Sequence, residues 1–166
     1  MELNESFKYN VLAIMRGTTV DGPGFRTSIY LAGCNHACPG CHNPQSWNPE
    51  GGEIMAAEDI IKIVDEEDFN VTLSGGDPLM HPESTKHLID LLTQKGRKVW
   101  VYTGFTWEQI ISNDKLRNAI QNATVVVDGP FIDKLKNPDL LFRGSSNQRI
   151  IDVAASLSSE KIVIID

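Results

Sequence analysis

Along the chain, short apolar runs rich in β-branched and aromatic residues alternate with longer stretches whose apolar positions recur at helical spacing. Residues Thr27 to Leu31 (TSIYL) have the content of a strand, which stops at Gly33. In AAEDIIKIVDEE, Ile60, Ile61, Ile63 and Val64 form a helix-like apolar cluster. Asn70 to Ser74 (NVTLS) then reads as a short buried strand running into Gly75-Gly76. Pro82 and Glu83 open a segment whose Leu88, Leu91 and Leu92 share a helical face, with Gly96 just beyond its C-terminus. Arg97 to Tyr102 (RKVWVY) is the next predicted strand, followed by helical stretches near Trp107 to Ile111 and Lys115 to Gln121. Thr124 to Val127 is a strand ending in Asp128-Gly129-Pro130, and Gln148 to Val153 and Lys161 to Ile165 are two more.

Strands alternating with helices at this spacing predict βαβ units, a mainly parallel sheet and the α/β class. Three predicted strands end in glycine-containing turns: LSGGDP at 73–78, YTG at 102–104 and VVDGP at 126–130. Ligands of parallel sheets bind beyond the carboxyl ends of the strands, and glycine lets backbone approach them closely. These turns are therefore expected to line one pocket together with the segment GCNHACPGCHNPQSWNPEGG (33–52). That segment is too rich in Gly, Pro and Asn for a regular element, and loops of such length usually serve function. The polar, irregular stretch at 138–147 reads as a surface loop. A length of 166 residues with no linker or internal repeat suits one domain, 1–166.

Composition narrows the function. Hydrophobic residues at 41% and charged residues at 22% are ordinary for a globular core. A formal net charge of -7 is the opposite of a phosphate-gripping surface, so nucleic acid is not an expected partner. No apolar run reaches the roughly 18 residues that suggest a membrane span, and Met1 to Asn10 lacks a signal-peptide pattern. The expectation is a cytoplasmic protein with no membrane partner.

All three cysteines fall between Cys34 and Cys41. An odd, clustered count argues for metal binding or catalysis rather than a disulfide framework. Cys34-x-x-x-Cys38-x-x-Cys41 supplies soft thiolates that favour zinc, copper(I) or iron–sulfur clusters. Structural zinc needs four protein ligands, so His36 or His42 would have to complete the set. A four-iron four-sulfur cubane held by three cysteines instead leaves one iron open to an external ligand.

The C-x3-C-x2-C spacing resembles the signature of the radical S-adenosylmethionine (SAM) superfamily, and Ser74-Gly75-Gly76-Asp77-Pro78 resembles its GGEP motif with Asp in place of Glu. DGPGFRTSIYLAGCNHACPGCHNPQSW, YTGFTWE at 102–108, VDGPF at 127–131 and FRGSSNQRIID at 142–152 resemble, in order, the activating proteins of anaerobic ribonucleoside-triphosphate reductases. The resemblance implies one cluster on Cys34, Cys38 and Cys41, with SAM chelated at the open iron and reductively cleaved to a 5′-deoxyadenosyl radical. That radical would remove a hydrogen from a glycine of the reductase. The resemblance also implies that Gly75 and Gly76 offer backbone groups to the methionine part of SAM, with Asp77 helping to orient it, and that Gly40 and His42 contact the adenine through backbone.

By the same analogy Asp128 lies near the adenosyl group or a monovalent ion, with a capped turn as the equal alternative. His36 is expected to fix the loop by hydrogen bonding rather than to ligate iron. Admitting an extended partner segment calls for a partial (β/α) barrel of about six mainly parallel strands. A flavodoxin-like protein is the expected electron donor. Trp47 and Trp107 read as packing groups. Arg16 and Arg26, beside the DGPGF turn, either meet the partner or solvate a surface, and Arg143 is a weaker docking candidate. The rival readings are an activase of pyruvate formate-lyase or another glycyl-radical enzyme, a small-molecule radical enzyme such as a 7-carboxy-7-deazaguanine synthase, and a non-catalytic zinc-binding interaction module.

Overall fold

The computed structural model describes residues 7–41 and 44–165. They form a mixed α/β structure around one open seven-stranded sheet. In chain order the strands are β1 (Lys8–Thr18), β2 (Arg26–Leu31), β3 (Glu53–Ala56), β4 (Asn70–Gly75), β5 (Val99–Tyr102), β6 (Val125–Asp128) and β7 (Arg149–Asp152). Their order across the sheet is β3-β1-β2-β4-β5-β6-β7. The centre, β2-β4-β5-β6, is parallel, whereas β1, β3 and β7 join it antiparallel.

Two expectations need correction here. The sheet is only partly parallel, and it is open, with seven strands rather than about six. The extra strands are β1 and β3, neither of which stood out in the sequence. β1 is irregular, with register shifts in its pairing to β2, and it buries only Tyr9 and Val11. Its alternation therefore fades into exposed positions. β3 has four residues directly after the glycine-rich loop and pairs Glu53–Ala56 with Lys8–Val11. The strand expected at 161–165 is reduced to a bridge between Ile151 and Ile164, and Val153 opens helix α5 (Val153–Ser159) rather than closing β7.

The remaining helices are α1 (Ala57–Glu67), α2 (Pro82–Gln94), α3 (Trp107–Ile111) and α4 (Asp114–Ile120). Strand alternation decides where they pack. Ile29, Leu31, Val71, Leu73, Val99, Val101, Val126 and Ile151 share one core with Ile60 and Val64 of α1, Leu88, Ile89 and Leu92 of α2, and Trp107, Ile110, Leu116 and Ile120 of α3 and α4. Trp100, Val125, Val127 and Ile150 form a separate cluster with Tyr102 and Phe142, to which no helix contributes. Helices thus cover one face of the sheet, while loops serve the other.

Arg26 belongs to the loop-covered face and is 3% exposed. Its guanidinium donates to Thr72 Oγ1 and to the carbonyls of Val71, Lys98 and Pro23, and lies over the Trp100 ring. Burial lowers its pKa to about 10. Arg26 is therefore a structural tie and not a surface group, whereas exposed Arg16 pairs with Glu66 and Glu67. Among the described residues no helix is long and apolar enough to cross a membrane.

Candidate functional site

Because β2, β4, β5 and β6 run parallel, their carboxyl ends open on the same edge of the sheet, and the chain leaves each of them into a loop there. The loop after β2 carries the three cysteines. Its start and its return are joined where Gly33 N–H donates to the Ser46 carbonyl at 2.8 Å and Cys34 N–H to that of Trp47 at 3.2 Å. Between these anchors Ala37 takes a left-handed φ of 51°. The Cys41 N–H closes a turn on the Cys38 carbonyl at 3.1 Å.

All three cysteines are half-buried and line one pocket, which they share with His36, the 74–77 turn, Tyr102 to Gly104, Gly129, Phe131, Gly144 and Gln148. Burial pushes the Cys34 thiol up, a shift opposed by a hydrogen bond from the His36 backbone. Among the described residues no group of three or more His, Cys, Asp or Glu side chains is placed to hold a single metal ion. The thiolates of a cubane bind separate irons, a looser arrangement than the ligand shell of one zinc ion. His36, the described histidine of the zinc alternative, has its Nε2 on Asp77 at 2.6 Å.

Gly75 and Gly76 carry β4 against the start of the cysteine loop. Gly75 has φ of 120°, and a Cβ there would overlap the Leu31 backbone; a Cβ on Gly76 would meet the Gly33 carbonyl oxygen at 2.5 Å. The amides of Gly76 and Asp77 face inward: Gly76 N–H donates to Leu31 O and Asp77 N–H to Gly33 O. Both glycines line the pocket, where a backbone carbonyl is an acceptor suited to an ammonium group.

Asp77 borders the pocket but is 1% exposed. Its Oδ2 accepts from His36 Nε2, from Thr103 Oγ1 at 2.9 Å and from Gly104 N–H at 2.8 Å, and its Oδ1 accepts from Leu79 N–H. Asp128 is equally buried and stands behind the pocket, accepting from the Trp107 amide at the start of α3 and pairing with Arg149 at 2.6 Å. Its neighbour Gly129 is the residue of that turn that lines the pocket. Gly40 lies in the Cys38–Cys41 turn with the Asp133 carboxylate packed against it. His42 lies outside the described residues.

A protein-family model described as a 4Fe-4S single cluster domain matches residues 20–151. An anaerobic ribonucleoside-triphosphate reductase-activating protein of Escherichia coli (strain K12) is 38% identical over 141 residues, covering 78% of this chain and 89% of that protein. The chain belongs to this family of activating proteins. Its namesake in Haemophilus influenzae is 34% identical over 155 residues, covering 85% of this chain and 96% of that protein, and one in Enterobacteria phage T4 is 31% identical over 140 residues, covering 79% and 86%. Membership supports an iron–sulfur cluster on this chain and an enzymatic role.

Several pocket residues were not singled out from the sequence. Thr103, Phe131 and Gln148 lie within the stretches 102–108, 127–131 and 142–152, but nothing in the sequence assigned any of them a role of its own. Gln148 is the least legible. Its amide donates to Gly129 O and accepts from the Gly144 and Ser145 amides, a connection that exists only after β6 and β7 have paired.

Proposed function

We propose that this chain activates an anaerobic ribonucleoside-triphosphate reductase by forming a glycyl radical on it. The observation that carries the reading is the single pocket in which three thiolates of one loop face the carboxyl ends of the parallel strands. The donor set fits a site-open cluster: three soft ligands come from one loop, beside the glycine turn after β4 that lines the same pocket. When bound together, a reduced cluster and SAM supply one-electron cleavage of a sulfonium and hence a carbon radical able to take a hydrogen atom from a glycine Cα.

The chain's own residues hold and shield. Cys34, Cys38 and Cys41 are the ligands. Gly75 and Gly76 present carbonyls to the methionine ammonium, and the backbone at Gly40 and His42 contacts the adenine. Asp77 and Asp128 support the site from behind, holding the loops after β4, β5 and β6. Phe131 and Tyr102 contribute apolar walls that limit water near the radical. In this reading the loop-covered face of the sheet serves as the interior of a partial barrel of radical SAM type, open to a backbone segment of the reductase. A flavodoxin-like protein supplies the electron.

Anaerobic reconstitution with iron and sulfide, reduction, and electron paramagnetic resonance with and without SAM and the reductase test this directly. The expected result is a cluster signal that SAM shifts, and a glycyl-radical doublet that needs the reductase. Replacing any one of the three cysteines by alanine should abolish both signals. A protein that takes up one zinc ion and no iron would overturn the proposal.

A further inference from the structure

The buried carboxylate of Asp77 joins three separate parts of the site. It belongs to the turn after β4, it accepts from His36 inside the cysteine loop, 41 residues away in sequence, and it accepts from Thr103 and Gly104 in the loop after β5. The fourth bond, from Leu79 N–H, fixes the carboxylate to its own turn. With both oxygens engaged from within the protein and 1% of the residue exposed, no part of this carboxylate is directed at a ligand. The packing around His36 is as specific as its hydrogen bond. Its ring stands edge-on to Phe105 at 4.7 Å, and a Cβ on Gly104 would meet it at 2.5 Å.

We propose that Asp77 and His36 form a latch that positions the cysteine loop over the strand ends, so that Asp77 is a positioning residue and not a ligand of SAM. The inference rests on the radical SAM reading of the pocket and adds the residues that set its geometry. His36 lies between Cys34 and Cys38 in the loop, and its ring is tied to Asp77. The latch therefore fixes the part of the loop that carries these two thiolates. The shorter acid suits this role: a glutamate would carry its carboxylate one methylene farther and lose the simultaneous reach to His36 Nε2, Thr103 Oγ1 and the Gly104 amide. Groups that orient metal ligands from behind typically change metal affinity or activity by about 10- to 100-fold when removed.

The test uses the reconstituted holoprotein with His36→Phe, His36→Gln, Asp77→Asn and the pair His36→Phe/Asp77→Asn. Iron content, the SAM concentration that half-shifts the cluster signal, and hydrogen exchange at the Gly104 amide are measured together. His36→Phe keeps a ring beside Phe105 but removes the donor, and should raise the half-shifting SAM concentration by about 10-fold or more. His36→Gln, which restores an N–H donor, should recover most of it. Asp77→Asn should act like His36→Phe, speed exchange at Gly104, and gain little further loss in the double variant, because one connection is being cut twice. The latch is overturned if His36→Phe responds to SAM like the wild type, if His36→Gln is no better than His36→Phe, or if the two substitutions simply add. A wild-type cluster signal that ignores SAM would instead sink the underlying reading, and unchanged Gly104 exchange in Asp77→Asn would still count against the latch on its own.

Discussion

Gly75 and Asp77 occupy adjoining turns of one motif yet act by different means. Gly75 lets two backbones touch: with φ at 120° and the Leu31 backbone where a side chain would begin, alanine has no room and the wrong conformation. Gly75→Ala is expected to cost about 4 kcal/mol or more, at the upper end of single substitutions. Gly96→Ala, at φ of 81° but with open space around it, should cost only about 1–2 kcal/mol. Urea denaturation of the two variants measures the difference; equal losses would mean that backbone conformation alone matters at Gly75. Asp77 acts through its four hydrogen bonds, none of which the motif announces. Sequence reading located the acid and gave it a cofactor to orient, because hydrogen-bond partners 26 and 41 residues away leave no local trace.

Among the elements, β6, β7 and α3 are held together by a charge cluster at their ends. Arg149 pairs with buried Asp128 and reaches Glu108 on α3 at 2.8 Å. Removing only the cation leaves a carboxylate at 1% exposure with backbone donors but no counter-charge, so Arg149→Met should destabilise the protein by about 3 kcal/mol. Asp128→Asn with Arg149→Met should recover part of this loss. Thermal unfolding of both variants checks the order, and a double variant less stable than Arg149→Met would contradict it. The same cluster has a pH signature. Hydrogen bonding from Arg149 holds the Glu108 carboxyl below the ordinary glutamate range. Its small stabilising contribution is therefore present above the ordinary glutamate value and fades as pH falls through the lowered one. The element-level reading recovered β2, β4, β5, β6, β7 and α1 to α4 within a few residues, since each has a clear period. It missed β1 and β3, whose partners are each other and β2 rather than a patterned local neighbour, and it also missed α5.

For the molecule as a whole, one apolar core runs from Tyr9 on β1 to Val153 on α5, across every strand-to-helix layer of the sheet. We expect the chain to unfold as a single unit, with tryptophan fluorescence and far-ultraviolet circular dichroism of the iron-free protein following one urea transition. Two separated transitions would divide the chain into two domains. The sequence by itself determined the chemistry and the local elements. Three thiolates on one loop, the glycine-ended strands and the helix-spaced apolar stretches are written in neighbouring residues, and so is the α/β class. Only the tertiary structure decided that the sheet is open and half antiparallel, that Arg26 is a buried tie, and that the carboxylates of Asp77 and Asp128 are engaged inside the fold. The physical reason is range: side-chain periodicity reports which face is buried, whereas strand order and buried polar partners are chosen between segments that meet only after the core has formed.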